Sequence, residues 1–135
     1  MSDDTAREVW TLMSDLVLDN QRRRAVSEAV GMSFGRSRAL RRLHRRPMSM
    51  RELAAALEIE APNATKVVDD LEADGLVQRR PNPTDRRAKI VEVTDEGARL
   101  ARTADTILAT PPAALSALSA EDLATLHRIL NAVNV

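Results

Sequence analysis

The sequence has no cysteine and no tyrosine, and its 135 residues include a single tryptophan and a single phenylalanine. The lack of cysteine excludes disulfides, thiol catalysis, thiol-based redox sensing and thiolate metal sites. Histidine is scarce too: His44 and His127 are too few for an all-histidine metal site within one chain, so no metal or other cofactor is expected. No apolar run approaches the roughly 20 residues that a membrane span needs. The opening Met1-Ser2-Asp3-Asp4 is acidic and lacks the apolar stretch of a signal peptide, so a soluble, cytoplasmic chain without a membrane partner is expected. There is no nucleophile with a base and an orienting group, no glycine-rich phosphate loop and no metal-ligand spacing. An enzyme is therefore not expected.

What is present is charge, and it is unevenly distributed. Twenty basic and twenty acidic residues cancel to a formal net charge of zero. Along the chain, however, the charge comes in blocks: −4 over residues 1–20, +9 over 21–51, −6 over 52–76, +4 over 77–90 and −3 over 91–135. A neutral total does not exclude a nucleic-acid partner, because binding follows local patches. The cations are 18 arginines and 2 lysines. Arginine suits bidentate contact with phosphates and base edges.

Apolar spacing and helix-end signals divide the chain. One long helix is expected over residues 4–30, with Val9, Met13, Leu16 and Val17 on one face, ending at Gly31. Ser33 caps a second helix over 34–45, which Pro47 closes. Ser49 and Glu52 have the form of a capping box before a short helix over 50–57. Glu58-Ile59-Glu60 reads as a tight turn, and Ala61-Pro62 opens a fourth helix that ends at Gly75. The period then changes: Leu76–Arg80 and Lys89–Val93 read as strands, and the proline-bearing stretch 81–88 as an extended loop. Thr94 caps a helix over 95–109, Pro111-Pro112 interrupts, and a last helix covers 120–133. The fold class is mainly α with a small β-hairpin.

Residues 49–75 have the spacing of a helix-turn-helix, and the hairpin that follows makes it winged. Asn63, Thr65 and Lys66 sit early on the second helix, where side chains reach base edges or phosphates in a major groove. Arg86 and Arg87 lie in the wing loop, from which an arginine can enter a narrow minor groove. Asp85 stands two residues before Arg87, close enough to hold its guanidinium in one pose. Arg79 and Arg80, at the base of the wing, are candidate phosphate contacts, with Arg36, Arg38 and Arg51 adding to that rim. Asp69, Asp70, Glu72 and Asp74 read as a solvated acidic face. Asp69, Asp70 and Asp74 also support a second reading, a winged-helix module that binds a protein without specific DNA binding.

The segments Arg51-Glu52-Leu53-Ala54, Glu72-Ala73-Asp74-Gly75-Leu76-Val77, Pro83-Thr84-Asp85-Arg86-Arg87 and Val93-Thr94-Asp95-Glu96-Gly97 together resemble the MarR family of bacterial transcription regulators. The resemblance covers about residues 32–110 by motif. It implies one winged helix-turn-helix chain over 1–135, with dimerisation helices at 1–31 and 111–135, the winged lobe at 32–93 and a linking helix at 94–110. It further implies a homodimeric repressor that binds a palindromic operator in double-stranded DNA. The DNA readers would be Asn63, Thr65 and Lys66, with Asp85 and Arg87 at the wing. Many relatives release DNA when a small molecule binds near the junction of dimer helices and lobe. On this chain that pocket would draw on Trp10, Phe34, Ser37 and Leu40.

Overall fold

A computed structural model describes residues 2–134. Eight helices and three strands follow one another: α1 (Ser2–Asp19), α2 (Arg22–Val30), α3 (Phe34–Arg45), β1 (Met48–Ser49), α4 (Met50–Leu57), α5 (Ala61–Ala73), β2 (Val77–Asn82), β3 (Asp85–Val93), α6 (Asp95–Ala109), α7 (Ala113–Ser116) and α8 (Ala120–Val133). Most helix boundaries are those that the capping residues predict. Ser33, Ser49, Thr94 and Ser119 each accept a hydrogen bond from the backbone N–H three residues on, and Ser49 with Glu52 forms a complete capping box.

Three expectations need correction. The helix expected over 4–30 is broken: Gln21 takes a left-handed conformation (φ 46°), and the Asn20 side chain donates to the Leu16 carbonyl at 2.6 Å. A short polar side chain that satisfies the helix end in this way offers the backbone an alternative to another helical turn. The stretch 81–88 is not an extended loop. The strands run on to Asn82 and Asp85, leaving Pro83-Thr84 as the connection. Pro81 is accommodated because β2 lies at the edge of a sheet ordered β1-β3-β2. Finally, the sheet has a third strand: Met48 and Ser49 pair antiparallel with Val91 and Ile90. The single turn of α7 after the two prolines was also not expected.

One core joins α3, α4, α5 and the sheet through Leu40, Leu43, Leu53, Val68, Leu71 and Val91, each at most 1 % exposed. A smaller cluster of Val26, Val30 and Ala104 joins α2 to α6. Neither α1 nor α8 packs onto another element beyond isolated contacts.

The end of α5 explains two of the motifs. Gly75 adopts φ 74°, its N–H reaches the Glu72 carbonyl at 3.0 Å, and the Leu76 N–H reaches the Leu71 carbonyl at 2.9 Å. This is the paired bonding of a Schellman ending, which favours glycine at the left-handed position. Thr94 then ties the next helix back to this point. Its hydroxyl donates to the Gly75 carbonyl at 2.7 Å, and its N–H donates to the Leu76 carbonyl at 3.0 Å. A Cβ at Gly97 would lie 2.0 Å from the Leu76 carbonyl oxygen, so only glycine fits where α6 passes the link between α5 and β2.

Candidate nucleic-acid interface

The second helix of the helix-turn-helix, α5, buries Ala64, Val68 and Leu71 and leaves Asn63, Thr65 and Lys66 exposed. Glu60 caps it without a side-chain hydrogen bond. Its carboxylate still complements the partial positive charge of the helix start. The Thr65 hydroxyl donates to the Ala61 carbonyl at 3.1 Å. This bond turns the hydroxyl back onto the helix.

In the wing, Asn82 Oδ1 accepts from both the N–H and the hydroxyl of Thr84, at 3.0 and 2.9 Å. Asp85 Oδ1 accepts from the Arg87 backbone N–H at 3.0 Å. The carboxylate therefore shapes the turn, and the expected contact with the Arg87 guanidinium is not made. Asp85 is still an orienting residue, but it acts through the main chain: an Asx-type bond fixes the direction in which the following residues leave the turn. Arg86 and Arg87 are both exposed, and among the described residues neither guanidinium has an intrachain partner.

The arginines read as phosphate contacts differ among themselves. Arg51 is exposed and has no intrachain partner among the described residues. Arg38 reaches only the Leu57 carbonyl, at 3.4 Å. Arg36, Arg79 and Arg80 are all held by carboxylates. Arg36 meets Asp70 at 2.7 Å, and Arg79 bridges Asp69 at 2.7 Å and Glu72 at 2.6 Å. Arg80 meets Glu92 at 2.9 Å. The acidic residues of α5 are thus not simply a solvated face. Asp69 and Glu72 clamp the wing base onto the helix, since charge-assisted bonds of this kind fix geometry as well as charge. Glu92 also accepts from Gln78 at 3.0 Å, and the two bonds, with Arg80 the stronger influence, hold its carboxyl below the usual range.

Arg51 and Arg87, 36 positions apart in sequence, line one cleft of about 490 Å³ between the start of α4 and the wing. Glu52 lies beside it, with its carboxyl lowered first by the Ser49 backbone N–H and then by Arg46, 2.9 Å away. The sequence marks both arginines but not their convergence, which depends on how the wing folds back.

The residues expected around a small-molecule pocket do not share one cavity. Ser37 and Leu40 are 1 % exposed inside the lobe, and the Ser37 hydroxyl is spent on the Phe34 carbonyl at 2.7 Å. Trp10 stands on α1, 69 % exposed. Phe34 alone lines the larger cavity, about 850 Å³, where the α1–α2 break meets the end of α6 and the Pro111-Pro112 segment. Arg23 lies over the Phe34 ring, 5.0 Å from its centroid. Among the described residues there is no group of three or more acidic or histidine side chains fit to hold a metal ion, and no helix long and apolar enough to cross a membrane.

Residues 30–88 match the model of the MarR family. That segment, just under half of the chain, is similar to a MarR-family winged helix. The same architecture extends beyond the matched segment. YusO from Bacillus subtilis is similar over 99 % of this chain and 97 % of its own, at 22 % identity and a TM-score of 0.79. A mutant of Escherichia coli MarR in complex with operator DNA is similar over 93 % of this chain and 95 % of its own, at 24 % identity and a TM-score of 0.62. A Staphylococcus aureus MepR–DNA complex matches at 18 % identity over 93 % of this chain and 98 % of its own, with a TM-score of 0.65. At these identities the likeness establishes the shared fold, a winged helix-turn-helix with α5 as its second helix and β2–β3 as its wing.

Proposed function

We propose that this chain is a sequence-specific DNA-binding transcription regulator, a repressor that works as a homodimer on a palindromic operator. The observation that carries the reading is a winged helix, similar over residues 30–88 to the MarR family, with a polar, exposed start to α5 and an unpaired Arg87 at the wing. Asn63, Thr65 and Lys66 would meet base edges and phosphates of the major groove. Arg87 would enter the minor groove from a turn braced by Asp85, with Arg86 and Arg51 on flanking phosphates. Arg79 and Arg80 brace the wing, and phosphate contact falls mainly to the unpaired arginines, with Arg36 joining them when it leaves Asp70.

Residues 1–31 and 111–135 would supply the dimer contact, and 32–93 the DNA-binding lobe. Seven apolar side chains of α1, from Val9 to Leu18, are 37 to 73 % exposed in the single chain, as are Ile129 and Val133 of α8. A second copy of the chain would cover them. A small-molecule effector would enter the cavity beside Phe34, next to those helices. The protein-binding alternative is the weaker reading, because Asp69 and Asp70 are engaged within the chain and only Asp74 of its three acidic residues stays exposed without an ion pair among the described residues.

Selection of bound duplexes from a random pool, followed by footprinting, tests the reading. The expected result is an inverted repeat with half-sites about 10 bp apart, or a multiple of that spacing. Arg87→Ala should weaken operator binding by about 1–3 kcal/mol. Recovery of no preferred sequence would overturn the reading.

A further inference from the structure

We propose that Asp70 is a positioning residue that holds two DNA-directed cations, Arg36 and Lys66, and thereby sets how strongly the protein prefers its operator to other duplexes. This inference rests on the DNA-binding reading and goes beyond it by assigning a specificity role to a residue that touches no base.

A single oxygen, Asp70 Oδ2, takes Arg36 Nη2 at 2.7 Å and faces Lys66 Nζ at 3.8 Å. The two cations come from different elements. Arg36 is in the first turn of α3, and Lys66 lies one turn before Asp70 on α5. The carboxylate is the more sheltered member, its side chain 31 % exposed against 77 % for Lys66. It therefore acts as the fixed point, and the lysine is free to swing. The arrangement differs from the wing, where Arg86 and Arg87 meet no carboxylate.

Attraction to phosphate is independent of sequence and grows with the number of cations that reach the backbone. On an arbitrary duplex, Arg36 and Lys66 must leave Asp70 to gain a phosphate, so each contact is discounted. On the operator, base contacts by Asn63 and Thr65 seat α5 in the groove and fix Lys66 against its acceptor, so the exchange happens at short range. Asp70 thus penalises the wrong duplex more than the right one, a difference of affinities created by withholding contacts.

The test compares wild type, Asp70→Asn and Asp70→Glu on the selected operator and on a random duplex of equal length, across a salt series. Asp70→Asn should tighten random-duplex binding more than operator binding. It should also steepen the random-duplex salt slope by about 0.9 for each phosphate gained, equivalent to roughly a 3.5-fold larger loss between about 50 and 200 mM salt. Asp70→Glu, which keeps the charge, should behave as wild type. Asp70→Ser serves as a second charge-removing variant if the asparagine fails to fold. An unchanged operator-to-random ratio and unchanged slope in the charge-removing variants would overturn the inference, as would an Asp70→Glu that behaves like Asp70→Asn. A wild type that selects no sequence overturns the functional reading itself, a separate and earlier outcome of the same series.

Discussion

The winged lobe and the terminal helices are built from similar amphipathic segments, yet they end in opposite states. In the lobe, Leu53, Val68, Leu71 and Val91 are wholly enclosed. On α1, Trp10, Leu12, Val17 and Leu18 are each at least 69 % exposed, although their helix is just as regular. Local propensity and spacing fix the helix in both places. Enclosure depends on whether the rest of the chain supplies a facing surface, and for α1 and α8 it does not.

The largest expected effect addresses that missing surface. Placing a charge on each terminal helix, Leu16→Asp with Leu126→Asp, should convert a two-chain particle to a single chain in light scattering while leaving the helical circular dichroism of the lobe in place. A wild type that is already a single chain at micromolar concentration would remove the proposed pairing.

Next comes a matched pair of truncations. Leu71→Ala should destabilise the chain by about 2–5 kcal/mol in chemical denaturation, because it opens a void in a packed core. Val17→Ala, measured in the single-chain Leu16→Asp, Leu126→Asp background where the position is exposed, should cost the lobe about 0.5 kcal/mol or less. Equal costs would mean that the terminal helices share the lobe's core.

The smallest effect is electrostatic and belongs to the lobe. Glu52 and Glu92 have folded pKa values below their ordinary 4.5, Glu52 mainly through the Ser49 N–H and Glu92 mainly through Arg80. A carboxyl that is more acidic when folded stabilises the fold while ionised. Its contribution is complete above the unfolded value and fades as pH falls through the lower folded one. Melting temperature should therefore decline below about pH 4.5, and Glu52→Gln should lower it more near neutrality than in acid, where the carboxyl is protonated in both states. An equal loss at both pH values would show that the glutamine disturbs the cap by shape and not by charge.

Much of this was legible in the sequence because helix ends carry local chemistry. Ser33, Ser49, Thr94 and Ser119 each act within three residues, and Gly75 marks its own left-handed turn. The break at Asn20-Gln21 was not legible, since neither residue is a glycine or proline and Val26 and Val30 continue the apolar face beyond it. β1 is two residues long, too short for any alternation to register. The wing strands outlast their β-rich composition because an edge position tolerates Pro81. At the candidate interface, the exposed residues of α5 and the wing arginines could be named from spacing. The partners of Arg36 and Arg79 could not, because Asp70 lies 34 positions away and Asp69 and Glu72 belong to another element. A count of charges cannot tell a free cation from one already spoken for.

The joint at Gly97 has a further consequence. Because α6 lies against the Leu76 carbonyl with no room for a side chain, and Thr94 bonds to the Gly75 and Leu76 carbonyls beside it, the helix is closely tied to the lobe at that end. It is a strut of 15 residues, about 22 Å long, anchored at one end beside the finish of α5 and ending at the other near the α1–α2 break. In a pair of chains, such a strut acts like the arm of a caliper. In the proposed dimer the gap between the two α5 helices would be set by the angle at which the far ends meet, and a change of a few degrees there would reach the proposed DNA-binding tips.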